Sequence, residues 1–219
     1  MEKGFWLKKW DDNQIGFHEE DYNPNLVKFW PQLASDNQLS TILVPLCGKT
    51  KDILYLAAQG HKVIGVELSE LAAKSFFEEN QLAYQEESHK DWKRFTSDNI
   101  SILVTDLLKI DLDLLKDCNG FYDRASVVAL PLVMRKEYIQ LLLSLPHLKA
   151  GLMIAMSFDD NKSEVGPPFS MDQADIKMLF DGKSDLEELS AYTETGEDLS
   201  VHKGKISKRV EYALAVRLI

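Results

Sequence analysis

The sequence is short of the features that several function classes need. Cysteine is scarce, with Cys47 and Cys118 the two in 219 residues. They lie far apart and have no histidine at metal-ligand spacing, so neither a disulfide framework nor a zinc site can be read from them. Positive charge is in deficit: 25 Lys and Arg stand against 35 Asp and Glu, for a formal net charge of -10. A nucleic-acid binder shows a basic patch or stripe, whereas the basic runs at 90–94 and 203–209 are short and interrupted. No apolar stretch approaches the roughly 20 residues of a membrane span. The opening Met1-Glu2-Lys3-Gly4-Phe5-Trp6 carries charge where a signal peptide needs an apolar run. These absences lead to the expectation of a cytoplasmic monomer with free thiols in reducing surroundings and no nucleic-acid or membrane partner.

What is present is ordinary globular material, 45% apolar and 27% charged. A chain of this size buries about 70% of its unfolded surface and needs no metal to hold it. No repeat, low-complexity tract or linker divides it, so one domain over 1–219 is expected. Residues 1–38 carry Trp6, Trp10 and Trp30 and read as helical pieces broken at Gly16 and at Asn23-Pro24. Leu26, Phe29, Trp30 and Leu33 recur at helical spacing, as a helix packed on a core requires.

From residue 41 the pattern alternates. Thr41-Ile42-Leu43-Val44-Pro45-Leu46 is a short apolar run suited to a strand covered on both faces. A helical stretch follows and stops at Gly60, and a second strand spans 62–67. Ser69 is placed to cap a helix running to Glu79. Further strands are expected at 100–105, within 120–128 and at 151–158, with helices at 135–145 and about 171–180. Strands at roughly 186–194 and 207–218 have no helix between them. The pattern predicts an α/β fold: a mostly parallel, seven-stranded, doubly wound sheet with helices on both faces and an antiparallel C-terminal hairpin at one edge.

In such sheets ligands bind beyond the carboxyl ends of the strands. Three ends carry chemistry here: Leu46-Cys47-Gly48, Glu67, and Thr105-Asp106. Gly48 allows close backbone approach. Glu67 lies at the spacing, roughly 20 residues on, of the acid that accepts hydrogen bonds from ribose hydroxyls. The turn lacks the glycines that a pyrophosphate needs, and position 43 is leucine where a phosphate loop has glycine. A cofactor with adenosine and no phosphates fits, and S-adenosyl-L-methionine is one. The alternative is a tight turn at Gly48 and a solvated strand end at Glu67.

Larger blocks carry a resemblance. Residues 43–52, Gly60-His61 and Gly65-Val66-Glu67-Leu68-Ser69 form one set. Tyr122-Asp123-Arg124-Ala125, Val128-Ala129-Leu130-Pro131, Gly166-Pro167-Pro168-Phe169 and the opening Trp10 to His18 form another. Together they resemble the thiopurine S-methyltransferase family, in order and over nearly the whole chain.

The resemblance implies a Rossmann-like class I methyltransferase with 1–38 as a helical lid. It implies that Trp10 packs on the cofactor, that Leu46 touches its methionine side and that Glu67 holds its ribose. Thr105 and Asp106 are placed near the adenine, and Arg124 near the cofactor carboxylate or the substrate. Phe17, His18 and Phe169 are positioning candidates on the substrate side; no metal is implied.

Each residue has a structural alternative. Trp10 could anchor a helix, Arg124 could pair with Asp123 or another acid, and Asp106 could cap the next turn. His18 and Cys47 could be packed residues.

The implied reaction is methyl transfer to the sulfur of thiopurines or related aromatic thiols, driven by positioning rather than by a dedicated base. Selenium or tellurium compounds and small thiols are the alternative acceptors. A non-catalytic adenosyl-ligand-binding protein is the alternative of another class.

Overall fold

Strand β1 (Thr41–Pro45) is buried along its whole length, as its apolar run requires. Its neighbours in the sheet are β2 (Lys62–Glu67) on one side and β6 (Gly120–Arg124) on the other, both parallel to it. The computed structural model describes residues 3–159, 166–196, 200–201, 204–205 and 208–219. Residues 1 and 2 of the expected lid and residue 207 of the last expected strand lie outside these.

All seven expected strands are present: β1, β2, β5 (Ile100–Val104), β6, β7 (Ala150–Phe158), β8 (Ser184–Thr195) and β9 (Lys208–Leu218). Two more, β3 (Gln85–Ser88) and β4 (Lys93–Ser97), extend the sheet to nine strands in the order β3-β4-β5-β2-β1-β6-β7-β9-β8. The central strands are parallel, and β9 runs antiparallel between β7 and β8, giving the C-terminal hairpin. The other edge is antiparallel too, because β4 pairs that way with β5 and β3 with β4. Ser200–Val201 and Gly204–Lys205 form a separate antiparallel pair.

Alternate residues of the strands feed two cores. Ile42, Val44 and Val63 pack with α2 (Pro24–Asn37), α3 (Asp52–Ala58) and α4 (Glu70–Glu79). Leu43, Ile64 and Val66 pack with α5 (Ser126–Ala129), α6 (Leu132–Leu143) and α7 (Gln173–Phe180) on the opposite face. Helices therefore cover both faces.

Local signals act where the sequence placed them. The Ser69 hydroxyl accepts from the Ala72 amide at 3.2 Å. Gly60 takes φ +89° beyond α3. The break at Asn23-Pro24 is the start of α2, where the Asn23 side chain accepts from the Asn25 and Leu26 amides. Trp30 anchors that helix by donating its indole N–H to Nε2 of His61 at 2.9 Å.

One buried acid braces the sheet beside the site. Asp123 is fully buried and accepts from the Tyr138 hydroxyl at 2.8 Å and the Ser126 amide at 2.8 Å. Burial pushes its carboxyl from 3.8 up to about 6, against the opposing pull of those hydrogen bonds. The folded state thus holds this proton more tightly than the unfolded chain. The associated stability is complete below pH 3.8 and is lost as pH rises through about 6. Between pH 4 and 7 the wild type should lose about 2 kcal/mol through this group that Asp123→Asn does not lose. Urea unfolding of both proteins at the two pH values measures the difference; equal pH dependence would remove the claim.

Candidate active site

The turn after β1 is wound by two left-handed residues, Leu46 at φ 44° and Gly48 at φ 53°. A leucine held there costs about 1–3 kcal/mol, the sort of strain that collects at functional sites. The neighbouring contacts hold it in place: the Cys47 amide donates to the Val66 carbonyl at 3.1 Å. Glu67, at the end of β2, does more. Its carboxylate accepts from the amides of Gly48, Leu68 and Ser69, each at 2.8 Å. A carboxylate has about four lone-pair sites, so one acceptor position stays open on this 6% exposed side chain. Burial raises the Glu67 carboxyl above its ordinary value while the three amides oppose the rise. Cys47 is buried, and its thiol is pushed well up by burial and by the Glu67 charge. It is packed within the turn.

The close approach at Gly48 is made by Trp10. A Cβ on Gly48 would lie 3.1 Å from the indole. Trp10 lies in the last turn of α1 (Lys3–Asp11) and is buried, as an anchor would be. Phe17 meets Trp6 and Trp10 edge to face, each at 5.6 Å between ring centres. An aromatic row therefore runs across the strand ends.

Arg124 fastens the segment that carries this row. Its Nη1 donates to the Phe17 carbonyl at 3.2 Å and lies 3.4 Å from Glu19, while Nε lies 3.7 Å from Asp52. Asp52 is buried at 1% exposure and accepts from the Asn23 amide and the Tyr122 hydroxyl at 2.8 and 2.9 Å. Arg124 thus pairs with Asp52 and Glu19, while Asp123 faces Tyr138. Of the alternatives open to it, pairing with an acid is observed, though with acids the sequence did not single out.

A cavity of about 480 Å³ opens at this point, within the usual range for small-molecule sites. Trp10, Phe17, His18, Leu46, Gly48, Glu67, Asp106 and Arg124 all line it. Asp106 also caps the following turn, accepting from the Leu108 amide at 3.2 Å, and pairs with Lys3 at 3.1 Å.

Two candidates stand apart. Thr105 does not line the cavity, and its hydroxyl donates to the Asp91 carbonyl at 3.2 Å. Phe169 is also outside the lining: it is buried beneath the Arg135 guanidinium, 5.3 Å from its ring centre, and leaves no room for a Cβ on Gly166. Of the substrate-side candidates, Phe17 and His18 thus reach the cavity, while Phe169 serves the packing of its own loop.

The lining adds residues that sequence reasoning passed over. Lys3 and Trp6 come from α1, Tyr122 and Ser126 from around β6, and Met134 and Glu137 from α6. Trp6 was visible as one of three early tryptophans. Met134 and Glu137 carry no local motif, and only the packing of α6 brings them there. Among the described residues no cluster of His, Cys, Asp or Glu could hold a metal ion, and no helix is long and apolar enough to cross a membrane.

Residues 1–213 match the model of the family described as Thiopurine S-methyltransferase. The chain belongs to the thiopurine S-methyltransferase family. A thiopurine S-methyltransferase of Pseudomonas fluorescens is 37% identical over 217 residues, covering 99% of each chain. That of Pseudomonas entomophila is 43% identical over 183 residues, 83% of this chain and 84% of its own.

The fold has solved counterparts. A SAM-dependent methyltransferase from Anabaena variabilis superposes with a TM-score of 0.63 at 16% identity, over 99% of this chain and 95% of that one. Magnesium protoporphyrin IX methyltransferase from Synechocystis with bound SAH gives 0.61 at 14%, over 98% and 99%.

This family member is an S-adenosylmethionine-dependent methyltransferase, and its donor set fits that cofactor. The Gly48 amide is already taken by Glu67. The cavity around it presents the Glu67 carboxylate, the Arg124 guanidinium and aromatic surface.

Proposed function

We propose that this methyltransferase acts on the sulfur of thiopurines or related aromatic and heterocyclic thiols. The aromatic row of Trp6, Phe17 and Trp10 beside the Glu67 turn supports this reading, since a flat ring packs well against such rings. S-adenosyl-L-methionine supplies a sulfonium-held methyl group to this site. In the proposal, the open acceptor position of Glu67 takes a ribose hydroxyl, Leu46 and Gly48 line the methionine side, and Asp106 meets the adenine. Arg124 serves the cofactor carboxylate or the acceptor.

The segment 1–38 is the lid of a single domain. Held by Arg124, it places Trp10 and Phe17 over the cavity and keeps water away. Heteroaromatic thiols are partly ionised near neutral pH, so holding donor and acceptor in line supplies most of the rate. The two buried free thiols suit a reducing cytoplasm.

The test is calorimetry with S-adenosylmethionine and S-adenosylhomocysteine, followed by methyl transfer to 6-mercaptopurine, thiophenol, selenite and tellurite. The aromatic thiols should give the highest kcat/KM. A higher value for selenite or tellurite would replace this reading with the detoxification of those species.

A further inference from the structure

His18 is the group in the cavity wall that the positioning account leaves without a task. Its side chain is 8% exposed and lines the cavity directly after Phe17. Its nearest acid is Glu20, with Nε2 to Oε1 at 3.7 Å, too long for a hydrogen bond. Among the described residues no donor or acceptor closes on its ring. The imidazole therefore faces the cavity with its hydrogen-bonding capacity unspent.

Other cavity groups are poorly suited to receive a proton from sulfur. Glu67 is engaged by three amides, and Asp106 by Lys3 and the Leu108 amide. Glu137 is exposed to solvent.

We propose that His18 accepts the acceptor's S–H proton when that acceptor is a thiol not ionised at neutral pH. The inference rests on the aromatic-thiol reading above and extends it to less acidic members of the class. The proton passes from sulfur to the imidazole, and the sulfur keeps the electron pair with which it takes the methyl group. The bonding pair of the broken S–CH3 bond stays with the departing sulfur. The imidazolium then returns its proton to water.

The surroundings suit this cycle. Burial, then Lys49, lower the imidazole's affinity for a proton below its ordinary 6.5, and Arg124 adds to this; Glu20 on the same segment and Glu79 of α4 oppose it. The resting ring is thus the free base at pH 7, and the two carboxylates steady the cation when it forms.

The experiment compares benzyl mercaptan, almost wholly un-ionised at pH 7, with pentafluorothiophenol, already a thiolate. For benzyl mercaptan, wild-type kcat/KM should stay level between about pH 6.5 and 8.5 and fall below that range as the imidazole protonates. His18→Gln should lose about 100-fold at pH 7 and regain about tenfold per pH unit as the thiol ionises. Pentafluorothiophenol should change by less than about threefold, which also shows that the variant folds.

A second reading needs no turnover. With S-adenosylhomocysteine bound, adding pentafluorothiophenol should raise the titration midpoint of the His18 imidazole NMR signal by about one unit or more. That signal is assigned by its absence in the variant. Equal losses on both thiols, a level profile kept by the variant, or an unmoved signal would each overturn the proposal. Failure of the wild type to methylate pentafluorothiophenol at all would instead overturn the aromatic-thiol reading on which it rests.

Discussion

Replacing Glu67 with alanine is expected to weaken binding of S-adenosylhomocysteine by about 100-fold, the worth of one charge-assisted hydrogen bond of about 3 kcal/mol. The same change removes the acceptor shared by the Gly48, Leu68 and Ser69 amides. Leaving buried donors unpaired costs about 1–3 kcal/mol apiece, so stability should fall by at least about 3 kcal/mol even without cofactor. Glu67→Gln separates the two effects. It retains bulk and one acceptor but turns an N–H2 group toward an amide that needs an acceptor, so its losses should fall between wild type and alanine. Calorimetry with S-adenosylhomocysteine and urea unfolding read the two quantities. Unchanged affinity in a folded Glu67→Ala protein would remove Glu67 from the cofactor site and leave it as a brace for the turn.

Arg124→Met should lower kcat/KM for an aromatic thiol by about 100-fold, the usual cost when reacting groups are misplaced by an ångström or so. The guanidinium holds the Phe17 carbonyl and Glu19 against Asp52, so its loss frees the segment bearing Trp10, Phe17 and His18. Amide hydrogen exchange over residues 12–23 should quicken. Asp52 would keep the Asn23 amide and the Tyr122 hydroxyl but lose its cation, costing about 1–3 kcal/mol. Adding Asp52→Asn should restore most of that stability without restoring turnover. Turnover that returned in the double variant would show that Arg124 acts only by neutralising Asp52.

Much of this was legible in the sequence because the signals are local. The apolar run of β1, the Ser69 cap and the glycine beyond α3 each act within a few residues. The β3–β4 hairpin was missed for the same reason: Gln85–Ser88 is exposed throughout, and Lys93–Ser97 buries only Phe95. Neither shows the alternation that marks a strand, and both are held by pairing onto β5.

The site divides likewise. Gly48 and Glu67 could be paired by spacing, but not the fact that the carboxylate closes onto the Gly48 amide. That contact depends on how the β1 turn folds back over β2. The link from Arg124 to Asp52, like the burial of Phe169 under Arg135, arises from elements far apart in the chain, and no window of sequence contains it.

The position of β9 has a consequence during synthesis. β8 pairs with β9 alone, and β9 follows it in the chain. On the ribosome β8 therefore waits unpaired until the following strand emerges. The base of the N-terminal segment waits with it, because Asn25 is held by Glu211 of β9 and Ser190 of β8. A nascent chain in which β1 to β7 have already formed can seat α2 through Trp30 and His61, but the start of that helix still lacks its polar link from Asn25 to the last two strands.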